Sequence, residues 1–279
     1  YQDADSTHRF LVADEVGLGK TMVARGVIAK AVEHLWGSVD RIDVVYVCSN
    51  ADIARQNISR LQTDKDHSFA RATRATLLPI ELKDMAGRRV NYISMTPGTS
   101  LEPSGGMGRV DERVLLFKML RKHWEIDERV GIRVFRGGVK SNSFRSKVHD
   151  WIPESDIDPG LHDAFLKEID RLEAGGKRKS LRSRFEKLAE VLPGTDEGLT
   201  PAMREDRRRF IADLRALLGR TCINALRPDL VILDEFQRFK HLLDPANEDA
   251  ELARSLFEYA DTREGSAEAT RVLLLSATP

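Results

Sequence analysis

A glycine-rich turn carries the residues best suited to phosphate chemistry. Its sequence, Asp14-Glu15-Val16-Gly17-Leu18-Gly19-Lys20-Thr21, follows the apolar run Phe10-Leu11-Val12-Ala13. Glycines let backbone N–H groups turn toward a β-phosphate, and the start of a following helix adds partial positive charge. Lys20 would then reach the β- and γ-phosphates, and the Thr21 hydroxyl would be a ligand of Mg²⁺. The alternative is a strand-to-helix turn whose lysine is incidental.

A pair of carboxylates ends a second apolar run, Val231-Ile232-Leu233-Asp234-Glu235. Two acids in succession at the end of a strand suit Mg²⁺ chemistry, with Asp234 holding the cation through water. Glu235 would orient and deprotonate an attacking water. The alternative is that one of these acids only caps the next helix.

These residues resemble the superfamily 2 helicases and translocases. The turn is similar to the "DE-x-GLGKT" form of Swi/Snf-type remodellers, in which Asp14 stands where the general pattern has glycine. Asp234-Glu235-Phe236-Gln237 resembles the DEAD/DEAH box and departs from it at Gln237. Ser276-Ala277-Thr278 matches the third motif of that family.

Two further segments resemble the family's nucleic-acid contacts. Ser49 to Gln56 is similar to motif Ia, and Thr96 to Ser100 is similar to motif Ib without its arginine. Backbone N–H groups and Ser, Thr and Asn side chains at such positions suit phosphate contacts. The alternatives are that Asn50 only caps a helix and that Thr-Pro-Gly is an ordinary turn. The predicted nucleic-acid-binding residues are Ser49, Asn50, Thr96 and Gly98.

The resemblance implies a RecA-like P-loop domain that couples Mg²⁺-dependent ATP hydrolysis to movement on nucleic acid, DNA more than RNA. The implied nucleotide-binding residues are Glu15, Val16, Gly17, Leu18, Gly19, Lys20, Thr21 and Met22. The implied catalytic residues are Lys20, Asp234, Glu235 and Gln237, with Thr21 and Asp234 on the metal. Gln237 and the segment Ser276, Ala277 and Thr278 would link the γ-phosphate to the grip on nucleic acid.

Two other functional classes remain open. One is a P-loop NTPase switch without a nucleic-acid partner, whose ATPase activity would ignore DNA and RNA. The other is a catalytically silent interaction module, against which the retained Lys20, Asp234 and Glu235 argue. The family hydrolyses ATP between two RecA-like domains, and we expect the second to be absent from this chain. We therefore expect a fragment of a longer protein that binds ATP weakly and hydrolyses it poorly.

Apolar periodicity predicts the elements that position these residues. We expect strands at Phe10–Ala13, Ile42–Cys48, Val90–Met95, Leu230–Leu233 and Val272–Leu275, and helices at 19–36 and 51–61. Alternating strands and helices predict an α/β fold with a mostly parallel sheet and ligands at its carboxyl edge. Two more runs, Ala75–Ile80 and Ile132–Phe135, are weaker strand candidates.

The stretch from about 111 to 227 interrupts that rhythm and predicts a largely helical insertion within one domain, 1–279. It contains two basic clusters: Lys177, Arg178, Lys179, Arg182 and Arg184 form the first, and Arg207, Arg208 and Arg209 form the second. Such clusters could contact DNA phosphates, but interleaved acids favour solvated helix faces.

Composition restricts the class of protein but indicates no particular reaction. Lys and Arg number 44, as do Asp and Glu, so net charge neither indicates nor excludes nucleic acid. No apolar run approaches the roughly 20 residues of a membrane span, and because Tyr1 to Arg9 is polar we expect no signal peptide. Cys48 and Cys222 predict buried thiols rather than a disulfide. The default expectation is a cytoplasmic protein without a membrane partner.

Overall fold

The computed structural model describes residues 8–13, 19–49, 51–61, 74–81, 87–96, 106–175, 180–195, 198–226, 228–238, 260–263 and 266–276. The chain divides into two compact units. The sheet unit comprises Tyr1–Glu102 and Ile223–Pro279, and the helical unit comprises Pro103–Cys222.

The sheet unit is built on five parallel strands in the order β1-β7-β4-β2-β3. Their bounds are β1 Arg9–Ala13, β2 Ile42–Val47, β3 Val90–Met95, β4 Pro228–Asp234 and β7 Arg271–Ser276. A separate antiparallel pair joins β5 (Ala260–Arg263) to β6 (Ser266–Ala269). The predicted α/β class with a parallel sheet is confirmed.

Two helices cover one face of the sheet: α1 (Lys20–Leu35) and α2 (Ala51–Leu61). Alternate strand residues point to the same face, so every second side chain of β2 faces these helices. Val44, Tyr46 and Ile232 accordingly share one core with Ile28 of α1 and Ile58 of α2. The apolar positions of both helices recur every three or four residues, which places them on the buried stripe.

The helical unit packs around an aromatic cluster. Its helices are α3 (Val110–Arg121), α4 (Glu128–Phe135), α5 (Ser141–Asp150), α6 (Pro159–Ala174), α7 (Leu181–Val191) and most of α8 (Pro201–Ala225). Phe135 of α4 has its ring centroid 5.8 Å from Phe117, 6.2 Å from Phe185 and 6.1 Å from Phe210. Side chains from four helices therefore fix the core of this unit.

A buried ion pair joins α3 to α8. Glu112 is fully buried, and Arg215 places Nε 3.0 Å from its Oε1. Arg215 also donates to the Gly106 carbonyl at 2.7 Å. Burial of two charges is tolerated only when each is matched in this way.

Both weaker strand candidates are helical. Ala75–Leu77 forms a 3₁₀ turn that continues as a helical turn to residue 81. Pro79 has no N–H for a sheet ladder and fits the first turn of a helix. Ile132–Phe135 lies in α4, because the Asp127 side chain accepts hydrogen bonds from Arg129 N and Val130 N and so begins a helix there.

Both cysteines are buried thiols that form no disulfide, as predicted. In the part of the chain that the structure describes, no helix is both long enough and apolar enough to cross a membrane.

Candidate functional site

One edge of the sheet gathers the predicted motifs. Because all five strands are parallel, their carboxyl ends lie at the same edge. In spatial order, β1 ends at Ala13, β7 at Ser276, β4 at Asp234, β2 at Val47 and β3 at Met95. Of the described candidate residues, Ser276 and Asp234 therefore lie toward the β1 side of this edge, and Ser49 and Thr96 lie toward the β3 side.

The connections that leave β2 and β4 run in opposite directions across the sheet. From β2 the chain proceeds outward to β3, whereas from β4 it proceeds the opposite way to β7. Such a reversal between neighbouring strands opens a crevice at their carboxyl ends, where α/β sheets bind ligands. β2 and β4 are directly paired, with Val47 opposite Leu233. Asp234, the last residue of β4, therefore lies at the position where sheets of this topology bind ligands.

Gly19 begins α1 in a conformation that favours glycine. Its φ of 94° lies in the left-handed region, and its carbonyl accepts hydrogen bonds from Met22 N at 2.8 Å and Val23 N at 3.1 Å. Lys20 and Thr21 occupy the first turn of α1, which contains no acidic residue. A helix start of this kind presents N–H groups and positive potential to an anion.

The rest of the turn, from Asp14 through Glu15, Val16 and Gly17 to Leu18, lies outside the described residues. Met22 of the predicted nucleotide set is largely exposed on α1. A separate apolar cavity of about 510 Å³ lies between α1 and β1, lined by Phe10, Val23 and Val27 among others. That cavity contains none of the predicted site residues.

Glu235 adopts a strained backbone directly after β4. Its φ of 56° is left-handed, which costs a residue other than glycine about 1–3 kcal/mol and is typical of functional sites. Its Oε2 lies 2.9 Å from Nε of Arg238, and its carbonyl accepts from Arg238 N at 2.9 Å. Both side chains are more than one-third exposed, so the ion pair stabilises little and can open.

Asp234 takes part in a hydrogen-bond network with two residues that the motifs did not include. The buried Tyr46 hydroxyl donates to Asp234 Oδ2. Asn57 of α2 donates from Nδ2 to the Tyr46 hydroxyl at 2.9 Å and to Asp234 Oδ2 at 3.4 Å. Burial, together with the neighbouring Asp234 carboxylate, raises the pKa of Tyr46 well above its ordinary range. Tyr46 therefore remains a neutral hydrogen-bond donor.

Gln237 contacts the end of β7. Ser276, which is buried, donates from Oγ to Gln237 Oε1 at 3.2 Å. The structure thus brings together two residues of the predicted coupling set. Ala277 and Thr278 lie outside the described residues.

The predicted nucleic-acid residues are only partly described. Ser49 lies two residues after the end of β2 and is half-buried, and Thr96 directly follows β3 and is buried. Asn50 and Gly98 lie outside the described residues. The structure therefore places two of the four at the carboxyl edge.

Oxygen donors at this edge suit a hard cation. Asp234 Oδ2 is engaged by Tyr46 and Asn57, while Oδ1 accepts no hydrogen bond among the described residues. The Asp234 carboxylate and the Thr21 hydroxyl are both of the donor type that Mg²⁺ prefers. Over the described ranges, no group of three or more His, Cys, Asp or Glu residues could hold a metal. Mg²⁺ beside phosphates needs only one or two carboxylates, because water and phosphate oxygens complete its shell.

Among the described residues of the two basic clusters, Arg182, Arg184, Arg208 and Arg209 are ion-paired. Nη1 of Arg184 lies 2.6 Å from Oδ2 of Asp213. Nη2 of Arg208 and Nε of Arg209 each lie 2.7 Å from Oε1 of Glu205. These contacts support solvated helix faces at Arg184, Arg208 and Arg209. Lys177, Arg178 and Lys179 lie outside the described residues.

Comparisons of the chain with protein-family models, with curated proteins and with solved structures found no match.

Sequence reasoning missed Tyr46, Asn57 and Arg238. Tyr46 lies within an apolar run that predicts a strand and carries no motif. In the pairing of β2 with β4, Tyr46 stands opposite Ile232. Only this pairing makes Tyr46 the diagonal neighbour of Asp234 on the same face of the sheet. The spacing of Glu235 and Arg238 could have indicated their contact, because residues three apart meet on a helical turn.

Proposed function

We infer that this chain is the nucleotide-binding domain of an ATP-dependent nucleic-acid motor. The observation that carries the inference is the arrangement of one parallel sheet, in which Asp234 ends β4, Ser49 and Thr96 come after β2 and β3, and Lys20 and Thr21 begin the helix that comes after β1. The proposal includes the RecA-like fold and superfamily 2 membership, which rest on the motif resemblance. DNA is the proposed nucleic acid, because the turn resembles that of duplex-DNA translocases.

Geometry supports a nucleotide between the turn and Asp234. One strand, β7, separates β1 from β4, so their carboxyl ends lie roughly 10 Å apart at the usual strand spacing. The α1 helix packs on the same face of the sheet toward which the Asp234 side chain points, as shown by the shared core of Ile28 and Ile232. A polyphosphate and a hydrated cation fit such a span.

Each residue has a defined task in the proposed reaction. Lys20 and the α1 start would bind the phosphates, and Thr21 with Asp234 would hold Mg²⁺, which neutralises phosphate charge. Glu235 would orient the attacking water and accept its proton, after release from Arg238. The transferred group needs mainly positioning and charge neutralisation from the protein.

The Ser276–Gln237 contact supports the proposed role of these two residues in linking the γ-phosphate to the grip on nucleic acid. It joins β7, beside the turn, to the residue that follows Glu235 by two positions. A shift at the phosphate site would therefore change the position of Gln237. In the family that the motifs resemble, a second RecA-like domain supplies arginine fingers, which contribute about a thousandfold or more to the rate.

The ATPase rate tests the function. It should be measured with duplex DNA, single-stranded DNA, RNA or no nucleic acid, at two salt concentrations, with Glu235→Gln as the blank. We expect Glu235-dependent turnover that one nucleic acid stimulates and that added salt weakens, because phosphate contacts release counterions. A Glu235-dependent rate that every nucleic acid leaves unchanged would reject the motor and favour an NTPase switch.

A further inference from the structure

We propose that Tyr46 and Asn57 are positioning residues that fix the Asp234 carboxylate for its metal and connect it to helix α2. This proposal rests on the function inferred above and concerns the same site. It assigns a role to two residues outside the glycine-rich turn, the carboxylate pair and the other motifs.

Sheet geometry makes the Tyr46 contact specific. Tyr46 stands opposite Ile232 in the parallel pairing of β2 with β4, so Asp234 is its diagonal neighbour on the same face. Tyr46 is only 2% exposed, and a buried phenol needs a hydrogen-bond partner. Asp234 Oδ2 is the acceptor for that hydroxyl. An apolar side chain at position 46 would fill the core equally well but would donate no hydrogen bond to the Asp234 carboxylate.

The network holds one oxygen of the carboxylate and leaves the other for ligands. Tyr46 and Asn57 both donate to Oδ2, and Oδ1 accepts no hydrogen bond from the described residues. Donors that hold one oxygen of a carboxylate restrict its rotation and orient the other oxygen toward a ligand. Groups in this position usually change metal affinity 10–100-fold when they are removed.

Asn57 extends the network to α2. It lies six residues after Ala51, about 9 Å along the helix, and it contacts both Tyr46 and Asp234. The first turn of α2 directly follows Ser49 and Asn50, the predicted nucleic-acid residues. A displacement of α2 on binding nucleic acid would therefore move a donor of the metal carboxylate.

Binding of a fluorescent ATP analogue to this chain tests the proposal. The analogue is titrated in EDTA and across a Mg²⁺ series, with Tyr46→Phe, Asn57→Ala, the reference Lys20→Ala and the control Tyr92→Phe. Tyr92 is also a buried tyrosine on the same face of the sheet, on β3. Folding of each variant is checked by circular dichroism.

We expect Tyr46→Phe to raise the Mg²⁺ concentration for half-maximal effect about tenfold while leaving the affinity in EDTA unchanged. Asn57→Ala should raise it about threefold, because its contact with Asp234 is longer. Tyr92→Phe should leave both values unchanged.

Two failures are distinguishable. If Lys20-dependent binding is intact and Tyr46→Phe changes the Mg²⁺ requirement no more than Tyr92→Phe does, the positioning role is wrong. If the unsubstituted chain shows no Lys20-dependent binding, the proposed function is wrong and the positioning role falls with it.

Discussion

Alkaline pH should weaken the sheet unit through Tyr46. Its pKa is raised by burial and by Asp234, so the folded chain keeps the proton that an unfolded tyrosine loses near pH 10. The stability that Tyr46 contributes is therefore complete below pH 10 and is lost as the pH rises above it. The loss approaches 1.36 kcal/mol per pH unit, or about 1.4 kcal/mol at pH 11.

Comparison with Tyr46→Phe isolates this effect, because every other titrating group is common to both proteins. At pH 8 the wild type should be more stable by about 2 kcal/mol, the usual value of a hydrogen bond to a charged group. At pH 11 the advantage should fall below about 1 kcal/mol. Urea unfolding at both pH values measures the difference. An advantage that stays constant from pH 8 to pH 11 would mean that Tyr46 ionises freely in the folded chain, contrary to the observed network.

Further predictions concern packing and buried charge. Gly131→Ala in α4 would place Cβ 2.0 Å from the buried Phe117 ring, so we expect a loss of about 2 kcal/mol or more in urea unfolding. Gly26→Ala in α1 meets nothing within 4 Å and should instead stabilise by about 0.5–1 kcal/mol; equal effects of the two substitutions would contradict the packing described. Glu112→Ala leaves the charge of Arg215 without its carboxylate and should cost about 3–5 kcal/mol, and a loss under 1 kcal/mol would refute the buried pair.

The strands that carry the site could be predicted because each is a short apolar run that ends at polar residues. β1 begins at Arg9, one residue before the predicted Phe10, and β2 ends at Val47, one residue before the predicted Cys48. Such runs are ambiguous only when helix signals compete with them. Pro79 and Asp127 supplied those signals for the two segments that proved helical.

The order of the strands could not be predicted from periodicity, which indicates burial but not the neighbour in the sheet. That order decides which side chains meet at the carboxyl edge. Tyr46 and Asp234 are 188 residues apart in the chain, and only the β2–β4 register joins them. The left-handed conformation of Glu235 could likewise not be predicted from its residue type, since glutamate seldom adopts it.

Calorimetric titration of the chain with ATP, with and without Mg²⁺, is the most direct test of the proposed nucleotide site. We expect saturable ATP binding that Lys20→Ala weakens about tenfold or more, because a hydrogen bond between charged groups is lost. It also predicts that Asp234→Asn removes the dependence of that binding on Mg²⁺. Absence of ATP binding, or binding that neither substitution changes, would contradict the assignment of this edge as a nucleotide site.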